Sequence, residues 1–150
     1  AVATPVIAAG GIGDGRGIAA AFALGAAGVQ MGTAFLSCPE AATEPSRRVL
    51  LANAADTDTI VTDAYSGRAA RARRSGYAEA MRPHAGQFAA YGQMYGFTDP
   101  LTEAMAGRDE MEVSFHLYGQ AAALNRALPA AELVPLLAAE ALARLKTLRG

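Results

Sequence analysis

Between Pro5 and Thr33 the chain spells an apolar run, glycines, a small-residue helix, a second apolar run and glycines again, and this order constrains its fold most. Pro5-Val6-Ile7-Ala8-Ala9 runs into Gly10-Gly11, as a buried parallel strand meets its turn. Asp14 is placed to cap a helix that carries Ile18, Ala21, Phe22 and Leu24 at helical spacing and stops at Gly25, a residue suited to the left-handed cap. Gly28-Val29-Gln30-Met31-Gly32 gives the next strand and turn. Strand, helix and strand within about thirty residues form a βαβ unit with an expected right-handed crossover, so the fold class is α/β with parallel strands.

The same region poses a competing reading, because residues 17–36 carry no charge and match the length of a membrane span. Gly25, Gly28 and Gly32 with Gln30 and Thr33 break that run, and bulky apolar residues are scarce in it, so no membrane partner is expected. Two buried elements of an α/β protein in succession also give a long uncharged stretch. The 150 residues are 52% hydrophobic and 18% charged, enough apolar material for a sizeable core. Thirteen Lys+Arg against fourteen Asp+Glu leave a formal charge of -1, which disfavours nucleic acid as a partner. A single cysteine, Cys38, excludes an internal disulfide and cannot alone hold a structural zinc, so no metal site and a reducing, cytoplasmic setting are expected. The opening Ala1-Val2-Ala3 has no initiator methionine and no secretory pattern, and reads as a start part-way through a protein.

Beyond Cys38 and Pro39, residues 47–54 read as a helix and Thr59-Ile60-Val61-Thr62 as a short strand, while 64–74 is mixed. Further helices are expected over 76–81, 86–95 and 115–124, with turns at Pro83, Asp99-Pro100 and Gly107. The last segment places Leu133, Leu137, Ala141, Leu145 and Leu148 on one helix face, and Pro135 is expected to kink or restart that helix.

Both glycine turns, Gly10-Gly11 and Gly32-Thr33, direct backbone N–H groups past the carboxyl end of a parallel sheet. Glycine permits close approach, and N–H groups at a helix start favour a phosphate. In (β/α)8 barrels the turns after the seventh and eighth strands form the usual phosphate site. From spacing alone, two tight connections serve equally well as an explanation. Residues 10–15 lack the Gly-Lys-Ser/Thr ending of a Walker loop, and residues 11–16 do not spell the dinucleotide fingerprint.

The stretches Pro5-Val6-Ile7-Ala8-Ala9-Gly10-Gly11-Ile12, Asp14-Gly15-Arg16-Gly17 and 24–36 closely resemble the nitronate monooxygenases, formerly called 2-nitropropane dioxygenases. Ser66-Gly67-Arg68-Ala69-Ala70-Arg71, Tyr118-Gly119-Gln120 and residues 128–134 extend the resemblance over essentially the whole chain. It implies the C-terminal part of a TIM barrel: residues 1–40 as strands seven and eight with their helices, and 41–150 as a mainly helical segment packing on the barrel. A complete barrel needs about 250 residues, so the chain is expected to be a fragment of a longer one. The resemblance also implies that Gly11, Gln30, Met31, Gly32 and Thr33 contact FMN, with backbone amides and the Thr33 hydroxyl near its phosphate. Gly10 is left to the turn itself. Gln30 brings the strand its one hydrogen-bonding side chain, and if buried it needs a partner, from a ligand or from neighbouring backbone.

The family's chemistry implies a flavoprotein oxidoreductase: FMN takes electrons from an alkyl nitronate and passes them to dioxygen, giving a carbonyl compound and nitrite without nicotinamide. The family's catalytic histidine lies in an upstream glycine-rich motif that no residue here occupies, so no catalytic residue is named. His84 in a loop and His116 on an expected helix show no partner that would make either a base. Cys38 reads as a buried thiol. Arg68, Arg71, Arg73 and Arg74 read as a solvated helix face, with ion pairs expected to hold the excursion after strand eight to the barrel, and Tyr91, Tyr95 and Phe97 as packing. Two readings compete: another FMN barrel, such as a flavin-type enoyl-acyl-carrier-protein reductase, and a non-catalytic module that only binds FMN or phosphate. Nothing in the sequence sets the oligomeric state.

Overall fold

The first helix begins where the Asp14 side chain accepts hydrogen bonds from the backbone N–H groups of Arg16 and Gly17, at 2.9 and 3.2 Å. This cap starts α1, Gly15–Ala23, between β1, Ile7–Ala9, and β2, Gly28–Gln30. At its other end the N–H of Gly25 reaches the carbonyl of Phe22 and that of Ala26 reaches Ala21, with Gly25 left-handed at φ 94°. That is the Schellman pattern, and the expected stop at Gly25 is met. β1 and β2 pair in parallel, Ile7 with Gly28, Ala8 with Val29 and Ala9 with Gln30. The computed structural model describes residues 2–148 and forms two compact units, one of residues up to 56 with those from 119 on, the other Thr57–Tyr118.

In the first unit a 3-10 turn, Thr33–Phe35, follows β2, and α2, Pro45–Ala52, comes next. After a second 3-10 turn, Gln120–Leu124, the long helix α6, Ala130–Leu148, returns to pack along α1. Ile18, Cys38, Leu133, Leu137 and Ala141 form the core, with Ile12, Val29, Met31 and Phe35 against it. Gly15 makes the approach possible: a Cβ there would stand 2.3 Å from Glu140 Cβ and 2.6 Å from the backbone nitrogen of Ala141. Of the apolar face expected on α6, Leu133, Leu137 and Ala141 are buried, whereas Leu148 is 69% exposed. The sheet is thinly covered, with Ile7 of β1 and Val6 just before it each about half exposed, at 54% and 51%.

The second unit opens with β3, Thr59–Thr62, as expected, and turns back through β4, Ala70–Arg73, in antiparallel register from Thr59 opposite Arg73 to Thr62 opposite Ala70. Three helices follow: α3, Gly76–Met81, α4, Tyr95–Met105, and α5, Glu110–Val113. Tyr65 sits at the centre, 1% exposed. It stacks on Phe115 at 4.6 Å, tilts against Tyr77 at 5.0 Å and hydrogen-bonds Ser75 Oγ at 2.6 Å.

Several expectations are corrected. Residues 86–94 are turns rather than a helix, because Gly86 and Gly92 are both left-handed, at φ 79° and 86°. The helix starts later and runs through Asp99-Pro100, which is therefore not a turn. Residues 115–118 are extended, with Leu117 bridging to Ala72 of β4, so the sheet edge captures a segment whose apolar spacing suggested a helix. Pro135 does not restart α6, which runs unbroken through it. It stands near the start of the helix and forfeits one backbone bond, which the burial of Leu133 and Leu137 outweighs.

Candidate functional site

The parallel register that sets Ala9 beside Gln30 brings the two glycine turns side by side at the carboxyl end of the sheet. Gly10 and Gly11 are left-handed, at φ 89° and 70°, and exposed, and no atom lies within 4 Å of where a Cβ would stand at Gly10, Gly11 or Gly32. Among the described residues the N–H groups of Gly11, Gly32 and Thr33 meet no acceptor. Thr33 is half-buried, and its hydroxyl oxygen accepts the N–H of Gly119 at 2.8 Å. Such an oxygen keeps its own proton free to donate.

The other predicted residues fall out unevenly. Met31 packs its side chain against the core, which leaves its backbone for any ligand. Gln30 is exposed at the strand end, so the partner that burial would have demanded is not required. The start of α1 is not open to an anion, contrary to what its position after a glycine turn suggests. Its N–H groups are already claimed, those of Arg16 and Gly17 by Asp14 and that of Gly15 by Glu140 at 3.1 Å. Burial pushes the Asp14 carboxyl up, yet the Arg16 guanidinium and the two N–H groups outweigh it and hold the group below its ordinary value. The Arg126 guanidinium, at 2.7 and 3.2 Å, holds Glu140 below its ordinary value, helped by the Gly15 N–H.

Four contributors near the turns had no role readable from the sequence, although Gly119 lies in a stretch that carries the family resemblance. Gly119, 86 residues from Thr33, supplies the N–H on its hydroxyl, and Asn125, 92 residues away, donates through Nδ2 to the Thr33 carbonyl at 2.9 Å. Glu140 lies 125 residues from the Gly15 it binds. Arg48 fans its guanidinium over the carbonyls of Ser37, Cys38, Ala41 and Thr43, at 2.6 to 3.0 Å, and so pins the loop that leaves the second turn. Only the full set of contacts shows them.

The remaining candidates are placed plainly. His84 is exposed in a 3-10 turn, and His116 lies beside β4 rather than on a helix, its carbonyl accepting the Arg73 N–H. Cys38 is 2% exposed, and burial pushes its thiol up, as an inert thiol requires. The arginines lie on and around β4, not on a helix face. Arg73 pairs with Glu112 at 2.9 Å, Arg74 with Glu79, and Arg71 reaches Thr59 Oγ1, so these bonds tie the second unit to itself. Tyr91 and Tyr95 meet edge to face at 6.4 Å. Among the described residues no helix is long and apolar enough to cross a membrane, and no group of His, Cys, Asp and Glu is arranged to hold a metal ion.

Against known proteins, the model of the nitronate monooxygenase family matches residues 1–140. The chain belongs to that family. It is 46% identical over 147 residues to a nitronate monooxygenase of Paraburkholderia phytofirmans, covering 97% of this chain and 40% of the relative. Among solved structures, a nitroalkane oxidase from Streptomyces ansochromogenes superposes with a TM-score of 0.86 at 36% identity, over 99% of this chain and 42% of that one. FabK from Thermotoga maritima gives 0.80 at 34% identity, over 99% and 48%. This nitronate monooxygenase family chain therefore spans less than half the length of the relatives it matches.

Proposed function

We propose that the protein containing this chain is an FMN-dependent nitronate monooxygenase, oxidising alkyl nitronates with dioxygen to carbonyl compounds and nitrite, and that this chain supplies the flavin-phosphate site. In this reading residues 1–40 are the last βα units of a (β/α)8 barrel and 41–150 the segment that follows. The observation that carries it is the pair of adjacent glycine turns at the carboxyl end of two parallel strands, in a member of this family. A phosphate fits there on this structure's own terms. The space beside Gly10, Gly11 and Gly32 is open, the N–H groups of Gly11, Gly32 and Thr33 are unclaimed, and the Thr33 hydroxyl has a proton left to give.

Bound FMN would supply the electron acceptor for the nitronate and the donor to dioxygen. The chain's part is to bind and orient. Gly11, Gly32 and Thr33 would hold the phosphate through backbone N–H groups, the Met31 backbone continues the strand to that turn, and exposed Gln30 offers an amide beside it. Asp14 and Glu140 occupy the α1 start with their charges answered by Arg16 and Arg126, which lessens their repulsion of an anion bound at the glycine turns. A cytoplasmic setting accompanies the reading, with the single cysteine kept as a buried thiol. The nitroalkane oxidase likeness exceeds the FabK likeness in both identity and TM-score, which supports nitronate oxidation over the reductase alternative.

The test is made on the full-length protein. Heat-released flavin is expected to be FMN, and oxygen uptake with nitrite release is expected on adding propyl-2-nitronate without NADH. A protein that binds no FMN, or that leaves nitronates untouched and reduces an enoyl thioester with NADH, refutes the proposal.

A further inference from the structure

Thr33 is held from outside its own turn at two atoms. Its hydroxyl oxygen takes the Gly119 N–H, and its carbonyl takes both the Leu36 N–H at 3.1 Å and the Asn125 side-chain amide at 2.9 Å. Asn125 also reaches Ser37 Oγ at 3.3 Å, so one side chain bridges the beginning of the turn and the loop that leaves it. Its backbone N–H closes on Ala122 at the end of the 3-10 turn 120–124, which fixes the direction from which the side chain arrives. The amide orientation is determinate: the Thr33 carbonyl can only accept, so the opposite placement would set oxygen against oxygen. In the observed placement Oδ1 is buried and makes no hydrogen bond among the described residues, a standing cost that the donation on the other side must offset.

In a trans peptide the C=O and N–H lie in one plane and point in opposite directions across the C–N bond. A Thr33 carbonyl drawn onto Asn125 therefore turns the N–H of Ala34 the other way, and that N–H has no acceptor among the described residues. The Gly119 N–H on Thr33 Oγ1 likewise leaves the hydroxyl proton for another acceptor. Both effects prepare one turn to give hydrogen bonds to an anion.

We propose that Asn125 is a positioning residue for flavin binding, locking the Thr33–Ala34 peptide and with it the phosphate-facing donors of the second glycine turn. This rests on the reading of the turn as a flavin-phosphate cradle. Asn125 acts on the phosphate end of the flavin alone, so its removal weakens FMN and spares riboflavin, which lacks the phosphate.

The experiment measures dissociation constants of FMN and riboflavin by fluorescence quenching on the full-length apoprotein, for the native sequence, Asn125→Ala and the isosteric Asn125→Asp. The native protein is expected to prefer FMN strongly. Asn125→Ala is expected to lose about tenfold of that preference, the worth of one or two hydrogen bonds, with riboflavin affinity unchanged. Asn125→Asp keeps the volume and sets a carboxylate against the Thr33 carbonyl, and is expected to lose at least as much. Unchanged riboflavin binding doubles as proof that the variants fold. An FMN preference kept within about twofold in both variants, or an equal loss for both ligands, overturns the role of Asn125. A native protein with no preference for FMN overturns the cradle itself, and the inference with it.

Discussion

Gly15→Ala isolates the contact that joins α1 to α6. Gly15 has no unusual backbone angle, so alanine suits its conformation, and helix propensity alone predicts a gain of up to about 1 kcal/mol. Packing predicts the reverse. The added Cβ would stand 2.3 Å from Glu140 Cβ and 2.6 Å from both the Glu140 carbonyl carbon and the Ala141 nitrogen, about 1 Å or more inside ordinary contact at about 3.5–4.0 Å. Two of these atoms are backbone, so no rotamer change relieves the clash and the helix itself must retreat. Overpacking of this kind costs about 1–3 kcal/mol, and the retreat also strains the hydrogen bond from Gly15 to the Glu140 carboxylate. The expected net loss is about 2–4 kcal/mol by denaturant unfolding of the full-length protein, read from the midpoint at constant slope. Gly17→Ala is the control in the same helix, since its Cβ would meet only Ile12, with Cγ2 at 3.3 Å and the backbone Cα at an ordinary 3.6 Å. An alanine at position 15 that leaves the midpoint unchanged or raises it, as propensity demands, refutes the packing argument.

Further outcomes follow from the same geometry. Arg126 lowers the Glu140 pKa in the folded state, so the pair stabilises fully above the ordinary carboxylate range and loses its contribution as pH falls through the folded value. Glu140→Gln is expected to flatten that acid limb, and parallel unfolding profiles for variant and native protein between pH 3 and pH 7 would show the pair to be inert. Thr33→Val removes the hydroxyl and strands the Gly119 N–H, with an expected loss of about tenfold in FMN affinity that Thr33→Ser restores; equal affinities for the two variants count against the hydroxyl. The 150 residues expressed alone leave Val6 and Ile7 exposed on a two-stranded sheet and are expected to self-associate in light scattering, whereas a monodisperse monomer with a sharp melt contradicts this.

The elements legible in the sequence are those set by neighbours in it. Asp14 caps within three residues, Gly25 stops α1 where the apolar spacing ends, and β3 falls on Thr59–Thr62 because β-branched residues crowd there. The elements that went astray are those decided at a distance. Residues 115–118 become extended because β4 offers Leu117 an edge, and the arginines of 71–74 find strand positions and partners as far off as Glu112, 39 residues from Arg73. The site divides the same way. Its glycines announce themselves, since only glycine adopts the angles of Gly10 and Gly11 without strain. The residues that brace it, Gly119, Asn125 and Arg48, are ordinary in type and gain meaning only from what they touch. The start of α1 shows this most clearly: the Asp14 cap on Arg16 and Gly17 is legible in residues 10–17, whereas the Glu140 carboxylate on the Gly15 N–H is not.

The chain leaves the first unit at Asp56 and re-enters it at Gly119, and the side chain of Gln120 reaches back to the Asp56 carbonyl at 3.3 Å. Exit and return are thus no farther apart than one glutamine can stretch. A polypeptide with such an aperture accommodates cargo between those points at little entropic cost, since closure grows only slowly with length. The stretch 57–118 is thus an insertion between two neighbouring points of the first unit, and loop-closure entropy constrains its length only weakly.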